Sequence, residues 1–227
     1  MKEKEKSRLP FIGLNEHGHV RIYYNGLLPH WRQSGCTYFV TFRLADSVPR
    51  AVLDKWEYEK TRWLRKLGLN DWVKAYEKLP KVEQRRFERH FGALVNDYLD
   101  SGRGSCVLRD PKCAEIVAEA LDHFHPTRVI TGDFVIMPNH VHVLLRPNPG
   151  VELEDLMHSI KGFTANRINE LLGRTGTLWK KDSYDHIVRD SAQLLRIQRY
   201  IRANPEKANI RDGEFVLSEV EYEVMVW

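Results

Sequence analysis

The order of strand-like and helix-like patterns is the feature of this sequence that most constrains its fold. Residues 38–44 are rich in β-branched and aromatic side chains, which predicts a strand. Beyond residue 107, the apolar spacing changes repeatedly between a strand-like and a helix-like period. The resulting elements are a helix, two strands, a helix, a strand and a helix, at about 111–123, 128–137, 140–146, 152–172, 184–189 and 191–204.

This order predicts an α+β fold of the ferredoxin-like type, in which helices cover one face of an antiparallel sheet. Two further patterns with helical spacing, at about 50–67 and 81–99, are heavily charged. We interpret the segment 50–107 as a helical insertion rather than a second core, so residues 1–227 are predicted to form a single domain. The acidic tail at about 212–227 is predicted to be either an edge strand or a cover over a basic surface.

The composition is that of an ordinary globular protein, with 42% hydrophobic and 29% charged residues, which excludes a disordered or fibrous chain. No apolar run approaches the roughly 18 residues of a membrane-spanning helix, and the charged start is not followed by a signal-like apolar stretch. The three cysteines are odd in number and lack zinc-ribbon spacing, so reduced thiols in the cytoplasm are predicted.

The net charge of +4 is unevenly distributed along the chain. Residues 161–211 hold eleven basic and five acidic side chains, a balance of +6, whereas residues 212–227 hold five acids and no base. Such a basic segment is typical of a surface that binds a polyanion. On charge alone, solvated helix faces explain the same pattern equally well.

His140 and His142 flank Val141 within a predicted strand. Alternate residues of a strand point to the same face, about 6–7 Å apart, so both imidazoles can reach one metal ion. A third ligand has to come from elsewhere in the chain. A lone pair of this kind is also common among surface histidines and among buried histidines whose hydrogen bonds are satisfied.

Tyr200 and Asn204 lie one turn apart on the last predicted helix. Leu194, Ile197 and Ile201 define the apolar face of that helix, and Tyr200 lies at its edge. At this position the hydroxyl group is able to point into a cleft. Alternatively, the ring packs on the core and the hydroxyl group contacts water.

Taken together, these residues predict a metal-assisted reaction at a phosphodiester. His140, His142 and the amide oxygen of Asn204 are the predicted metal ligands, and Tyr200 is the predicted nucleophile. A phenol has an ordinary pKa of about 10, so it needs activation or an electrophilic phosphorus. A divalent ion creates that electrophile by neutralising the non-bridging oxygens.

With these two motifs in this order, the chain resembles a REP-associated tyrosine transposase of the HUH single-strand nuclease superfamily. The histidine motif of the family matches His140-Val141-His142, and its Tyr-x-x-x-Asn-Pro segment matches residues 200–205. Flanking residues also agree, at 35–42, 137–139 and 179–190. The resemblance spans about 30–50 and 105–210, and the helices between them resemble the insertion of longer relatives.

The resemblance implies a single HUH domain that cleaves single-stranded DNA at small hairpins through a 5′-phosphotyrosine intermediate. It implies Mg²⁺ or Mn²⁺ as cofactor, palindromic single strands as partner, and a location at the nucleoid. It implies no membrane and no small-molecule substrate. REP-associated members tend to act as monomers and related transposases include dimers, so both states stay open. Residues 35–38 depart from a Gly-Thr-Trp-Ser-like signature that is tied to reading a guide sequence, which leaves the target sequence open.

Seven side chains are candidate DNA contacts, because they are basic or aromatic and lie in or beside the matching segments: Lys161, Arg167, Trp179, Lys180, Lys181, Arg189 and Arg199. Tyr184 is a further candidate for stacking on an unpaired base. His186 is a candidate for a position near the metal, where it would orient a ligand or transfer a proton. Each of these residues has an equally ordinary role as a solvated charge or a core aromatic.

Two other functions are consistent with the same residues. The first is a domesticated protein that binds palindromic DNA and no longer cuts it. The second is a metal hydrolase that uses water as nucleophile, in which Tyr200 has only a structural role.

Overall fold

The computed structural model describes residues 8–24, 29–69, 76 and 78–224. Within them the chain forms nine strands and five α-helices, together with a short 3₁₀ helix at Val107–Arg109. The strands are β1 (Leu9–Phe11), β2 (Arg21–Tyr24), β3 (Pro29–Arg32), β4 (Tyr38–Arg43), β5 (Val129–Met137), β6 (His140–Pro147), β7 (Tyr184–Ile187), β8 (Val216–Ser218) and β9 (Tyr222–Val224). The helices are α1 (Arg50–Lys66), α2 (Lys81–Asp100), α3 (Pro111–His123), α4 (Leu153–Leu171) and α5 (Ser191–Lys207).

A five-stranded antiparallel sheet in the order β7-β4-β6-β5-β8 organises the fold. β6 lies at its centre, and β4 and β5 flank it. The predicted α+β class with an antiparallel sheet is therefore confirmed.

The sheet carries helices on both faces, which differs from the expectation of one covered face. Val141 and Val143 point toward α3 and α4, whereas Leu144 on the other face packs with Ile197 and Ile201 of α5. The physical reason is that β6 carries buried side chains on both sides, Val141 and Val143 on one and Leu144 with the two histidines on the other, so each face has a cover.

Most predicted elements lie within a few residues of their observed bounds. Asp110 caps α3 by accepting a hydrogen bond from the Lys112 backbone N–H at 2.9 Å, and Pro111 follows at the first helical position. Asp190 caps α5 by accepting a hydrogen bond from the Gln193 backbone N–H at 2.6 Å. The strands β1, β2 and β3 were missed because their short segments do not show a strand-like apolar alternation.

The insertion forms its own packing clusters beside the sheet. Trp56 of α1 and Leu99 of α2 belong to one cluster, and Phe87 and Phe91 of α2 belong to another. The second cluster reaches the sheet through Tyr184 of β7. The insertion is thus placed against the sheet, and the single-domain assignment stays a prediction.

The acidic tail contains an edge strand, as one of the two expectations for it has it. β8 pairs with β5 at the edge of the main sheet, and β9 pairs with β1 in parallel. Glu219 forms an ion pair with Arg202 at 2.5 Å, so part of the tail's charge is used locally. The edge strand is only three residues long, which also discourages pairing with other chains.

The cysteines Cys36, Cys106 and Cys113 are free thiols, consistent with the absence of a disulfide pattern. Among the helices that the structure describes, none is both long enough and apolar enough to cross a bilayer.

We expect the packing of α2 on β7 to depend on Gly92. A Cβ atom at this position would lie 2.7 Å from the Tyr184 hydroxyl oxygen, whereas a Cβ atom at Gly162 of α4 would meet nothing within 4 Å. Both alanine variants gain helix propensity, so Gly92→Ala should be less stable than Gly162→Ala by about 1–3 kcal/mol, the overpacking cost. Urea unfolding measures the difference. Equal stabilities would contradict the close contact between α2 and Tyr184.

Candidate active site

His140 and His142 lie side by side in the interior, on the face of β6 that α5 covers. Their side chains are 1% and 0% exposed, and their Nε2 atoms are 3.0 Å apart. Strand alternation places both rings on one face, as the sequence predicted. The geometry of the two imidazoles is therefore consistent with the prediction that both can reach one metal ion.

Hydrogen bonds at the Nδ1 atoms orient both imidazoles. Asn139 donates through its amide nitrogen to the carbonyl oxygens of Leu99 and Arg103, so its oxygen accepts from His140 Nδ1 at 2.6 Å. This leaves a lone pair on His140 Nε2. His142 Nδ1 lies 2.7 Å from the Thr41 hydroxyl group.

Burial keeps both imidazoles neutral. It lowers the pKa of His140 to about 3 and the pKa of His142 well below its usual range. The neutral imidazole is the form that binds a metal ion.

Tyr200 of α5 points its hydroxyl group at the histidines. The phenol oxygen lies 3.1 Å from His142 Nε2, and the ring contacts Phe39 edge-on with centroids 6.1 Å apart. Burial, followed by the nearby carboxylate of Asp100, raises the pKa of Tyr200 above its ordinary value. The phenol is therefore protonated before any reaction.

Asn204 is fully buried one turn after Tyr200. Its amide nitrogen donates to an Asp100 carboxylate oxygen at 3.1 Å, and its own oxygen has no hydrogen-bond partner among the described residues. A buried amide oxygen without a partner is costly unless a ligand satisfies it.

Asp100 is a site residue that the sequence analysis missed. It is the last residue of α2, and its carboxylate lies 3.7 Å from His140 Nε2. Lys207 donates to the same carboxylate at 2.9 Å and to Asp97 at 2.9 Å. No local pattern distinguishes Asp100 from the other acids of the insertion, so only the packing of α2 identifies it.

The chemistry of these donors fits a divalent cation. Asp100, His140 and His142 offer ligand atoms that all lie within 4.8 Å of one another. Two nitrogens bound at right angles, at about 2.1 Å each, would be about 3 Å apart, which agrees with the separation of the Nε2 atoms. The oxygen of Asn204 is an additional donor without a partner. Nitrogen and oxygen ligands together suit Mn²⁺ better than Mg²⁺.

His186 does not bond to either histidine. Its Nε2 lies 3.3 Å from the Gln193 side-chain nitrogen, and its ring meets Phe39, which stacks on His142. The structure thus places His186 beside the site rather than against a predicted ligand.

The predicted DNA contacts fall into two separate groups. Arg189 lies in a cleft beside Tyr200, where it pairs with Glu88 at 2.6 Å, and Arg199 is exposed on α5. Lys161 and Arg167 belong to α4, on the opposite face of the sheet. Lys180 and Lys181 line a groove there together with Lys161.

In the second group, the side chains of Lys161 and Arg167 already bond to other residues of the protein. Lys161 donates to the Lys181 carbonyl oxygen at 2.7 Å and to the Ser183 hydroxyl group at 3.1 Å. Burial lowers the pKa of Lys161 to about 8. Arg167 pairs with Glu170 at 3.3 Å. The structure does not bring this group to Tyr200.

Trp179 borders the groove of Lys161, Lys180 and Lys181, but its side chain is packed into the core. It is 4% exposed, its indole nitrogen donates to the Thr164 hydroxyl group at 2.8 Å, and its ring packs against Phe42. An indole held in this way has no free face for a base. Tyr184, by contrast, lines the cleft beside Tyr200.

A comparison with known protein families agrees with the motifs of this site. Residues 109–204 match the family model described as "Transposase IS200 like", and this segment contains His140, His142, Tyr200 and Asn204. The predicted resemblance to the insertion-sequence transposases is therefore confirmed over the part of the chain that holds both motifs.

One solved structure, a REP-associated tyrosine transposase bound to a REP hairpin, aligns with a TM-score of 0.41 and 13% identity. The alignment covers 77% of this chain and 69% of that chain. No curated protein matches the chain significantly.

We expect the hydroxyl group of Thr41 to tune metal binding through His142. Thr41→Val removes the partner of Nδ1, and loss of such an orienting hydrogen bond typically costs about 10–100-fold in metal affinity. Thr37→Val is the matched control, because the Thr37 hydroxyl group is buried without a partner. Titration calorimetry with Mn²⁺ measures both affinities. Equal affinities of Thr41→Val and the unaltered protein would show that Thr41 does not orient His142.

Proposed function

We propose that this protein is a divalent-metal-dependent endonuclease and strand transferase that acts on single-stranded DNA, with Tyr200 as the nucleophile. The observation that carries the proposal is the approach of the Tyr200 hydroxyl group to the paired histidines, at 3.1 Å from His142 Nε2. A phenol aimed at a cluster of metal-binding donors is the arrangement that nucleophilic attack on a phosphodiester needs.

In the proposed reaction, the phenol oxygen of Tyr200 attacks the phosphorus. An O–P bond to the tyrosine forms, the bond from phosphorus to the 3′ oxygen breaks, and the phenol loses its proton as the 3′ oxygen gains one. The product is a 5′-phosphotyrosine and a free 3′-hydroxyl group. Because the phosphoester retains the energy of the cleaved bond, a hydroxyl group can later attack it and transfer or reseal the strand.

His140, His142 and Asp100 are the proposed metal ligands, with Asn204 as a fourth donor once its oxygen turns to the ion. A bound Mg²⁺ or Mn²⁺ supplies neutralisation of the non-bridging phosphate oxygens. The remaining work belongs to the protein. Asn139 and Thr41 hold the imidazoles, Lys207 holds the carboxylate, and α5 holds the nucleophile.

The hairpin substrate follows from the sequence resemblance to REP-associated tyrosine transposases. The match of residues 109–204 to the transposase family supports DNA as the class of substrate. We propose that Arg189 and Arg199 contact DNA near the reaction centre. Lys161, Arg167, Lys180 and Lys181 are proposed contacts for a more distant part of the same DNA, because they lie on the other face of the sheet.

A domesticated hairpin-binding protein without cleavage is the second candidate. One observation favours this candidate: Asn204 and Lys207 both donate hydrogen bonds to the Asp100 carboxylate, which a metal ion would otherwise bind. The intact set of His140, His142 and Tyr200 favours cleavage.

We expect incubation with a hairpin-bearing single strand and Mn²⁺ to produce a covalent protein–DNA band on a denaturing gel. Tyr200→Phe should abolish the band, because the phenylalanine ring lacks the oxygen that bonds to phosphorus. Tyr58→Phe is the control, since Tyr58 is exposed on α1 and far from the histidines in sequence. A chelator should prevent the band in every variant.

Other outcomes identify the competing functions. Tight binding of the hairpin without any band supports the domesticated protein. A nicked product without an adduct, formed equally well by Tyr200→Phe, supports hydrolysis by water.

A further inference from the structure

A cleft of about 580 Å³ opens beside Tyr200, and one of its walls comes from the insertion. α2 forms that wall, α5 forms the opposite wall, and β7 contributes to the lining between them. The volume is within the range of about 300–1,000 Å³ that is typical of sites for small ligands. The cleft is therefore large enough for part of a polynucleotide next to the reacting phosphate.

The residues that face the cleft recur at helical spacing. On α5 they include Gln193, Arg196 and Tyr200, which are three and four residues apart. On α2 they include Arg85, Arg89 and Asn96. From Gln193 to Tyr200 the wall is about 10 Å long, at 1.5 Å per residue. The arginines thus follow a path that leads to the nucleophile.

The cleft carries positive charge that the protein does not neutralise. Among the described residues, Arg85, Arg89 and Arg196 are exposed and have no acidic partner within ion-pairing distance. The acidic side chains of the cleft already have partners within the protein. Glu88 pairs with Arg189 and Asp190 caps α5.

Asp185, the third acidic residue of the cleft, also has partners within the protein. It is 4% exposed and pairs with Arg32 and His30. Burial alone would raise the pKa of Asp185, but the hydrogen bond from His30 and the charge of Arg32 outweigh it and lower the pKa. Three arginines of the cleft are therefore free of ion pairs, against the single carboxylate of Asp190, and this positive balance suits a phosphodiester chain.

His186 lines the cleft, and its ring carries a buried hydrogen-bond donor that has no partner among the described residues. Gln193 accepts from the Arg189 backbone N–H at 2.7 Å, so its amide nitrogen is left to donate to His186 Nε2. The imidazole proton therefore lies on Nδ1, which is buried and unpaired. The side-chain oxygen of Asn96 is likewise buried without a partner. Unpaired buried groups of this kind are costly, and the edges of bases carry both donors and acceptors that can satisfy them.

We propose that this cleft binds the single strand adjoining the phosphodiester that Tyr200 attacks. Arg85, Arg89 and Arg196 bind its phosphates, and His186 and Asn96, which line the same cleft, contact its bases. The inference rests on the proposed function for the identity of the strand, and it assigns the insertion a role in substrate binding. The aromatic rings of Tyr184 and Trp31 line the same cleft and provide surfaces for stacking.

The test is the affinity of the Tyr200→Phe protein for an unstructured labelled oligonucleotide of about 12 nucleotides, measured by fluorescence anisotropy over a salt series. The arginine pair Arg85→Ala/Arg89→Ala should weaken binding about tenfold and reduce the salt slope by about 1.4, at about 0.7 per phosphate contact. Arg62→Ala/Arg65→Ala removes the same charge from exposed positions of α1 outside the cleft and should change neither quantity.

Unchanged affinity and slope in Arg85→Ala/Arg89→Ala would overturn the phosphate contacts. A second arm compares oligo-dT, oligo-dC and oligo-dA. The Tyr200→Phe protein should bind one of these oligonucleotides more tightly than the others, and adding His186→Phe should remove this preference without changing the salt slope. Equal affinities of the Tyr200→Phe protein for all three would overturn the base contact.

This binding assay needs no cleavage, so its outcome is separate from that of the adduct assay. Loss of binding in Arg85→Ala/Arg89→Ala, together with no adduct in the unaltered protein, would keep the cleft and overturn the nuclease. An adduct in the unaltered protein, together with unaltered strand binding in Arg85→Ala/Arg89→Ala, would support the nuclease and overturn the role of the cleft.

Discussion

The carboxylate of Asp100 is the interaction on which the arrangement of the site depends, because it joins three parts of the chain. Asp100 ends α2 of the insertion, lies 3.7 Å from His140 on the central strand, and accepts hydrogen bonds from Asn204 and Lys207 of α5. A buried carboxylate is expensive to desolvate unless its oxygens are satisfied. Lys207 and Asn204 satisfy them here. The same contacts hold α2 against α5, so the charge balance of the site and the position of the insertion depend on each other.

Burial controls the chemistry that the site can perform. It keeps His140 and His142 neutral, which suits them to bind a cation, and it keeps the Tyr200 phenol protonated. A protonated phenol is a weak nucleophile, so in the proposed reaction a bound metal ion and the phosphate together would have to make the attack of Tyr200 favourable. The positively charged cleft next to Tyr200 is where such a substrate would enter.

Much of the architecture was accessible from local patterns. The helix at Pro111–His123 was predicted at its observed bounds, and its start is set locally, because Asp110 and Pro111 act on neighbouring backbone groups. The pairing of His140 with His142 and of Tyr200 with Asn204 also followed from the periods of a strand and a helix. The burial of Trp179 did not follow, since an aromatic ring suits a core and a DNA groove equally well. Its burial depends on the tertiary contacts that the indole makes with Thr164 and Phe42.

The sequence by itself determined the α+β class, the bounds of the main elements and the two motifs, because each is encoded by residues a few positions apart. Only the tertiary structure decided that α5 covers the face of the sheet opposite α3 and α4. It also decided that Asp100, about 40 residues before His140 in the chain, supplies a carboxylate to the histidines. Such a contact is set by how a whole helix packs, and no spacing of residues along the chain records it.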